Sequence, residues 1–403
     1  MRLPSHIQLP FLTLQILLAL DPSPPWNLFG AFAIALICSL IISPSVFVRS
    51  NIDTGVGYVD YLLGSVVASC AVLGFYALLL GRPLKNFKSI ENGNEKVHKY
   101  WWKRIFHVAY VFQSPRGVGW NYQVNNIPAA PRQPRHLFIL TSSLRAACYA
   151  VLFEVARLYV WYNPACASVT VETRSYVARC ADTIAFIGLT YWGLNAIYFA
   201  MAAGSVALGL YEPRMWPDLF GSWRDAYTVR RAWGRTWHQT LKWFLAPLGK
   251  ATSSVLGFNR GTSGALYAQV YVAFLLSGLV HTGGDIVLSG SSTSAVSRPL
   301  FSMPFFFSQA VVITLEDVLI RIARRLGVKD SVWTRALGFF WVAVWFGWCV
   351  PGFVENMIRA GGGIRKSASG LGGNDMGLNL VQAAMVRLFG FDIGEFAESW
   401  FGV

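Results

Sequence analysis

The sequence predicts an all-α, polytopic integral membrane protein with about seven to nine transmembrane helices. Of its 403 residues, 54% are hydrophobic and only 13% are charged, whereas soluble domains carry about 25% charged residues. Apolar runs of about 20 residues recur along the chain, and each is long enough to cross a hydrocarbon core of about 30 Å. The sequence has no regular alternation of apolar and polar residues that would favour strands.

The apolar runs predict seven spans and one shorter segment that precedes them. Residues 7–20 form a short run that ends in Asp21–Pro25, so this segment either dips into the bilayer or spans it. The second span contains Gly64, Ser65, Ala68 and Ser69, small residues that favour close helix packing. The predicted spans are residues 28–48, 61–81, 137–161, 183–209, 264–288, 302–320 and 332–353.

The distribution of Lys and Arg predicts one orientation in the membrane. Residues 82–135, 211–263 and 321–331 carry most of the cations, and the alternate connections carry few. By the positive-inside rule these three basic segments face the cytoplasm. The formal net charge of +14 is then explained by cytoplasmic loops beside acidic lipid headgroups, and we expect no nucleic-acid partner.

The first basic segment, residues 82–135, has two parts. The sequence KVHKYWWKRIFHVAYVF interleaves aromatic and cationic residues, which predicts an amphipathic helix lying at the membrane interface. The stretch SPRGVGWNYQVNNIP, Ser114 to Pro128, contains too much Gly, Pro and Asn for a helix. We expect an ordered loop that Trp120 and Tyr122 hold in place.

The chain is expected to form one membrane-embedded domain over residues 1–403. Its N-terminal spans cover 7–81, its cytosolic amphipathic section 82–135, its catalytic core 137–353 and its C-terminal tail 354–403. The tail begins with the Gly-rich connector AGGGIRKSASGLGG, and the amphipathic segment at 376–392 either spans or does not. Cys166 and Cys180 fall in a lumenal loop where a disulfide is one option.

The second basic segment, residues 211–263, contains the first candidate functional residues. A helix from Arg231 to Lys242 would place four polar residues on one stripe, at spacings of four, three and four residues. That stripe consists of Arg231, Arg235, His238 and Lys242, beside an apolar stripe of Trp233, Trp237 and Phe244. Arg presents planar donors that suit phosphate, so the stripe predicts a site for a phosphate-bearing cosubstrate such as coenzyme A. The alternative is an interfacial helix whose cations contact lipid phosphates.

A second candidate, His281, lies well inside the apolar run GALYAQVYVAFLLSGLVHTGGD. An ionisable side chain within the bilayer is costly and indicates a functional site, and a neutral imidazole suits a general base. The alternative is a packing histidine bonded to a neighbouring helix. The following residues Thr282–Asp285 are small or polar and are candidates to line a cavity. With only Asp285 one turn on, His281 does not predict a metal site.

Two acidic residues, Glu316 and Asp317, lie late in the run FSMPFFFSQAVVITLEDVLI, close to Arg321. A salt bridge to Arg321 at the helix end is one interpretation, and a polar cavity wall is the other. His98, His107 and His136 lie among basic or aromatic residues, for which we expect surface roles.

Several common catalytic motifs are missing from the sequence. It has no Gly-x-Ser-x-Gly elbow, phosphate-binding loop, dinucleotide fingerprint or His-Glu-x-x-His helix. Their absence argues against hydrolases of the common folds, pumps driven by ATP and zinc proteases. One hypothesis for the function is an organic-anion transporter with an Arg-lined cytosolic entry and His281 as a proton relay. Transporters usually contain inverted repeats, and no internal repeat is evident here.

Four motifs resemble those of a known family. LFGSWRDAYTVRRAWGRTWHQ, Leu219 to Gln239, resembles the signature of wax-synthase-like proteins in the membrane-bound O-acyltransferase superfamily. SPRGVGWNYQVNNIP is similar to a loop of the fungal branch of that family. SGLVH, Ser277 to His281, is similar to the segment with the superfamily's membrane histidine, and FFFSQAVVITLED resembles a later helix. The resemblance covers about residues 110 to 350.

The resemblance implies a membrane O-acyltransferase with His281 as the catalytic histidine. His238 corresponds to a second superfamily position, which is Asn in many members, and would stabilise the oxyanion together with Trp237 or Arg235. The coenzyme would contact Arg231, Arg235, Trp233, Trp237 and Lys242. We expect no permanently bound cofactor and no metal, since acetyl-CoA acts as a cosubstrate.

The fungal branch is similar to enzymes that acetylate terpenoid and meroterpenoid alcohols. The resemblance therefore implies transfer of acetyl to the hydroxyl of a small hydrophobic alcohol, in a multi-pass protein of the endoplasmic reticulum. The alternative within the family is a wax ester synthase that joins a long acyl chain to a fatty alcohol.

Overall fold

The computed structural model describes residues 5–43, 57–90, 100–163, 175–291 and 300–362. Every regular element within these ranges is helical, and one isolated β-bridge joins Ser89 to Trp120. The all-helical prediction is confirmed. The amphipathic segment 376–392, His98 and the possible partner Cys166 lie outside the described residues.

Twelve α-helices in the described ranges position the site. They are α1 Ser5–Leu20, α2 Trp26–Ile42, α3 Gly57–Phe75, α4 Pro83–Asn86, α5 Trp101–Gln113, α6 Arg135–Tyr162, α7 Tyr176–Ala207, α8 Val229–Arg231, α9 Lys242–Val255, α10 Ser263–Ser291, α11 Ser302–Arg325 and α12 Val332–Met357.

Six helical segments of the described chain are long and apolar enough to cross a membrane. They contain α3, α6, α7, α10, α11 and α12, which match six of the predicted spans. The helices α1 and α2 are apolar but shorter. Helix α12 contains Pro351 in its interior and continues to Met357, four residues beyond the predicted span 332–353.

The first basic segment has the predicted parts. Helix α5 exposes Trp101 and Phe106 and buries Val108 and Val111, as an interfacial amphipathic helix should. The loop after it is ordered: Trp120 is buried, and the Tyr122 hydroxyl donates to the Ser114 carbonyl at 3.0 Å. Tyr122 also stacks on Phe87, with ring centroids 4.3 Å apart.

The two large basic segments contact each other, so they lie at the same end of the helices. Arg116 donates to the backbone carbonyls of Pro217 and Asp218, at 2.7 and 2.6 Å. Lys242 Nζ donates to the Asn125 carbonyl at 3.1 Å. A shared end is what the positive-inside pattern requires of residues 82–135 and 211–263.

Helices α3 and α10 approach each other closely through glycines. A Cβ on Gly64 would lie 2.5 Å from the Gly283 carbonyl oxygen, and a Cβ on Gly283 would lie 2.5 Å from the Cβ of Ala68. A Cβ on Gly284 would collide with Tyr61. The prediction of close packing by small residues in α3 is therefore correct. The suggestion that Thr282–Asp285 lines a cavity is wrong for these two glycines, because they face α3.

This close approach can be tested with a matched pair of substitutions. We expect Gly283→Val to lower the thermal stability of the detergent-purified protein markedly, because overpacking a tight contact costs about 1–3 kcal/mol. Gly352→Val in α12 is the control, since a Cβ there meets no heavy atom within 4 Å. Equal unfolding temperatures for the two variants would contradict the close packing.

Candidate active site

The segment that was expected to be one helix from Arg231 to Lys242 is broken in the structure. One helical turn, α8, leads into a π-helical turn at Ala232–Thr236, and Trp237 is extended with ψ of 154°. A new helix begins only at Lys242. The prediction of a single stripe of Arg231, Arg235, His238 and Lys242 is therefore wrong.

The beginning of this broken segment is held by α11. Glu316 is buried and accepts the backbone N–H groups of Val229 and Arg230, at 2.8 and 3.2 Å. Asp317 forms a two-pronged ion pair with the Arg230 guanidinium. The predicted helix-end salt bridge to Arg321 is wrong, because both carboxylates reach across to α8. Glu316 thereby accepts from the N-terminal N–H groups of a helical turn, where negative charge is favourable.

The middle of the segment is tied down by backbone and side-chain hydrogen bonds. Gly221 donates its N–H to the Thr236 carbonyl at 2.8 Å, and a Cβ on Gly221 would collide with the Arg235 carbonyl. The buried Gln239 amide donates to the Trp237 carbonyl at 2.6 Å and to the Trp233 carbonyl at 3.3 Å. These bonds satisfy carbonyls that a continuous helix would use, so the chain can turn at His238.

Trp233 carries the segment into the helix bundle. Its ring packs against Phe274, Phe306 and Phe346, with centroid distances of 5.9, 6.2 and 5.9 Å. Its indole N–H donates to Gln309 Oε1 at 3.2 Å. Trp233 therefore packs against side chains of the helix bundle. Irregular backbone at this depth is tolerated because protein surrounds it.

His238 lies at the turn, among aromatic rings. Thr240 Oγ1 is 2.8 Å from its Nδ1, and the rings of Trp237 and Phe220 lie 5.4 and 5.8 Å away, centroid to centroid. Burial and, to a smaller extent, the positive charge of Arg116 together lower the pKa of His238 to about 4. The imidazole is therefore neutral near pH 7.

The nearby cation, Arg116, belongs to the ordered loop after α5. Its side chain is only 4% exposed, and it donates to the Tyr198 hydroxyl at 2.5 Å as well as to the 217–218 backbone. Burial lowers the pKa of its guanidinium, although Tyr198 and Asp218 oppose that change. This loop thus places a fixed positive charge beside the His238 segment.

His281 lies in α10, where its ring contacts one aromatic side chain and its Nδ1 contacts another. Its ring stacks on Phe306, with centroids 4.5 Å apart and planes 13° apart. The Tyr61 hydroxyl is 3.1 Å from Nδ1 and 2.9 Å from Ser302 Oγ. Ser302 donates its hydroxyl to Asp285 Oδ1 at 2.6 Å and its N–H to Oδ2 at 2.9 Å. Tyr61, Ser302 and Asp285 are all buried.

The two histidines, remote in sequence, are brought together. Aromatic rings connect them: His281 stacks on Phe306, which contacts Trp233, which contacts Trp237 beside His238. Each uses Nδ1 for its side-chain contact. Within the described part of the chain, neither Nε2 has a hydrogen-bond partner. The two imidazoles thus lie at the two ends of one run of aromatic rings.

The other predicted binding residues are not grouped as expected. Arg231 is engaged with Asp225, at 2.5 Å, and lies over the Tyr227 ring. Arg235 is exposed. The burial of Lys242 lowers the pKa of its amine, and the positive charge of Arg235 lowers that pKa as well. Arg235 and Lys242 thus remain near each other. Trp233 and Trp237 line the region between the histidines.

His107 and His136, the other two histidines whose side chains the structure describes, lie outside this arrangement. His107 packs edge-on against Trp120, and His136 is exposed. The described residues contain no group of three or more His, Cys, Asp or Glu side chains that could hold a metal ion.

Several site residues escaped the sequence analysis. Tyr61 and Ser302 were not considered, and Asp285 was weighed only as a cavity-lining residue and as a metal ligand. Gln239 and Thr240 lie within the recognised motif region, but their roles depend on the turn at His238. A signal did exist for Asp285, because a carboxylate one turn after His281 in an apolar helix is itself costly.

The fold and the site together define a polytopic helical membrane protein in which aromatic rings connect two histidines. Residues 216–308, which include both histidines, match the membrane bound O-acyl transferase family. The chain belongs to the membrane-bound O-acyltransferase family and is an acyltransferase, and the transporter alternative is set aside.

Similar proteins are fungal acetyltransferases. The chain is 35% identical over 263 residues to acetyltransferase ple2 of Rhodocybe pseudopiperita, covering 64% of this chain and 68% of that protein. It is 25% identical over 333 residues to acetyltransferase eriL of Hericium erinaceus, covering 81% and 85%. It is 27% identical over 389 residues to acetyltransferase sirH of Leptosphaeria maculans, covering 89% and 93%. No solved structure matches the chain significantly.

Proposed function

We propose that this membrane acyltransferase moves acetyl from acetyl-CoA to the hydroxyl of a small hydrophobic alcohol of the terpenoid or meroterpenoid class, in the endoplasmic reticulum. The observation that carries the proposal is the run of packed aromatic rings that connects His281 to His238. The acetyl group is supported by the relatives, which are named acetyltransferases.

His281 is the general base in this proposal. Its Nε2 takes the proton of the acceptor hydroxyl while the oxygen forms a bond to the thioester carbonyl carbon. The ring is well positioned for this, because stacking on Phe306 and the contact of Nδ1 with Tyr61 hold its orientation. General-base assistance of this kind contributes about 10² to 10⁴ in rate.

His238 is the oxyanion donor. We assign the Thr240 hydroxyl as the donor to His238 Nδ1, 2.8 Å away, which leaves the imidazole proton on Nε2. That N–H can then donate to the carbonyl oxygen as it becomes negative. The pKa of about 4 keeps His238 neutral near pH 7 and makes it a weak proton acceptor. The acceptor's proton is therefore left to His281.

The tetrahedral intermediate collapses when its C–S bond breaks. The coenzyme leaves as a thiolate and receives the proton that His281 took from the alcohol. The products are the acetate ester and free coenzyme A, and both imidazoles return to their starting states. No serine or cysteine of the protein needs to carry the acetyl group.

The coenzyme's phosphate groups are assigned to Arg235 and Lys242. Arg235 is exposed, and Lys242 Nζ donates to the carbonyl oxygens of Asn125 and Gly234, at 3.1 and 3.4 Å. Arg231 contributes indirectly, because its ion pair with Asp225 braces the turn that precedes them. Trp233 and Trp237 flank the path toward the histidines.

The acceptor is expected to enter from the bilayer side. Phe274, Phe306 and Phe346 surround Trp233, so the region beside the histidines is apolar and aromatic. An alcohol with a large hydrocarbon skeleton gains free energy by moving into such surroundings, whereas a water-soluble alcohol does not.

Microsomes that contain the protein test this proposal directly. We expect radiolabelled acetyl-CoA and a panel of terpenoid alcohols to give acetate esters that mass spectrometry identifies. Longer acyl-CoAs with fatty alcohols form the second arm. Product only in that arm would replace the acetyltransferase proposal with the wax ester synthase alternative.

A separate prediction concerns the phosphate contacts. Arg235→Ala should raise the KM for acetyl-CoA about tenfold or more and leave the KM for the alcohol nearly unchanged, because a charged hydrogen bond contributes about 1.5–3 kcal/mol. Steady-state kinetics with each substrate varied measure this. Arg260→Ala, an exposed cation in the same basic segment, is the control. An unchanged acetyl-CoA KM in Arg235→Ala would return this residue to a lipid-headgroup role.

A further inference from the structure

Four side chains form a hydrogen-bonded chain that ends at His281, the proposed base. His281 Nδ1 meets the Tyr61 hydroxyl at 3.1 Å, and that hydroxyl meets Ser302 Oγ at 2.9 Å. Ser302 in turn gives two hydrogen bonds to Asp285, from its hydroxyl and from its N–H. The chain joins α3, α10 and α11, and the proposed function does not account for it.

The direction of every hydrogen bond in the chain follows from counting protons. A carboxylate only accepts hydrogen bonds, so Ser302 gives its single hydroxyl proton to Asp285. Ser302 Oγ must then accept from Tyr61, which also has one hydroxyl proton. With that proton used, the Tyr61 oxygen can only accept, so His281 must donate from Nδ1. The lone pair of the neutral imidazole is then on Nε2.

We propose that Asp285, Ser302 and Tyr61 are positioning residues that hold His281 in the Nδ1–H tautomer, with Nε2 as the proton acceptor. This inference rests on the proposed function of His281 as the base. A neutral imidazole can carry its proton on either nitrogen, and only one tautomer presents a base to the substrate. The chain selects that tautomer before the alcohol arrives.

The same chain also supports the charged state that follows proton transfer. When Nε2 receives the alcohol's proton, the imidazolium still donates from Nδ1 to Tyr61, and each later bond keeps its direction. The negative charge of Asp285 then stabilises the imidazolium through two intervening hydroxyl groups. No atom needs to rotate during the step, which is the property of a preorganised site.

An isosteric substitution at Asp285 reverses the direction of the side-chain hydrogen bonds without removing any of them. In Asp285→Asn, the amide oxygen can accept from the Ser302 N–H while the amide nitrogen donates to Ser302 Oγ. Ser302 must then donate to Tyr61, and Tyr61 must donate to His281 Nδ1. The proton of the imidazole is forced onto Nε2, so the base is lost although every hydrogen bond is kept.

The tautomer can be read without measuring activity. Protein labelled with ¹³C and ¹⁵N at histidine is reconstituted in lipid at pH 8, and its six histidines are observed by solid-state NMR. Signals of His281 are those missing from His281→Gln. We expect a protonated Nδ1 in the natural protein and a protonated Nε2 in Asp285→Asn. A protonated Nε2 in the natural protein would overturn the proposal.

The kinetic test uses a double substitution. Asp285→Asn should lower kcat by up to about 10⁴-fold with little change in acetyl-CoA KM, the scale seen when a similar change imposes a wrong histidine tautomer. Tyr61→Phe alone should cost only about tenfold. Adding Tyr61→Phe to Asp285→Asn removes the misdirected donor, so kcat should recover toward the Tyr61→Phe value.

This recovery separates positioning from structural support. A purely structural role predicts that the double variant is worse than either single variant, and that result would overturn the proposal. Tyr58→Phe is the matched control, because Tyr58 is buried on the same helix but bonds to Thr190, at 2.5 Å. If the natural protein transferred no acetyl in any assay, the proposed function would fail while the NMR result would still decide the tautomer.

Discussion

His281→Ala is expected to remove nearly all acyl transfer, by about 10²–10⁴-fold or more, while the protein still inserts and folds. The reason is that no other described side chain at helical spacing can accept the alcohol's proton in its place. Asp285, one turn on, is already committed to Ser302. Ester formation by purified protein in detergent or lipid measures the loss.

The control for this variant is His136→Ala, which truncates an exposed histidine and should leave turnover unchanged. Size-exclusion behaviour and thermal stability establish that both variants are folded. Full activity of well-folded His281→Ala would mean that the base lies elsewhere, and would also remove the basis for the tautomer proposal.

The second large effect is expected at His238, where two substitutions should differ. His238→Ala should lower kcat by about 10²–10³-fold, the usual loss for one oxyanion donor. His238→Asn should keep measurable activity, because an amide N–H can still donate to the oxyanion. Since the pKa of His238 is about 4, the ratio of the natural to the Asn activity should stay constant from pH 6 to 9.

The outcomes for His238 also test the assignment of roles. If His238→Asn is as inactive as His281→Ala, then His238 performs the proton transfer and the two roles are exchanged. Thr240→Val supplies a further control, because it removes the hydroxyl beside Nδ1 and leaves the turn's backbone in place. Its kcat should fall in the same direction as that of His238→Ala, by a smaller factor.

The transmembrane architecture could be predicted from the sequence because each helix is encoded locally. A run of about 20 apolar residues needs no distant partner to be recognised. His281 was recognised for the same reason, as a polar side chain within such a run. His238 was recognised from the Trp-Gly-Arg-x-Trp-His motif, which occupies a short continuous stretch.

The parts that sequence reasoning missed depend on residues far apart in the chain. Tyr61 contacts His281 across 220 positions and Ser302 across 241. The helix predicted from Arg231 to Lys242 failed for a related reason. Its spacing suits a helix, but Glu316 and Gln239 capture backbone groups and favour the broken form. Periodicity contains no information about such tertiary bonds.

One face of helix α11 contacts four parts of the candidate active site. Ser302, Phe306, Gln309 and Glu316 lie at heptad-like intervals on one face, and respectively meet the Tyr61 chain, the His281 ring, Trp233 and the start of α8. The spacing between the two imidazoles is therefore set by the fixed rise of a single helix, about 1.5 Å per residue. Lipids of different chain length can tilt the bundle without stretching that helix, so turnover should tolerate membranes of different thickness.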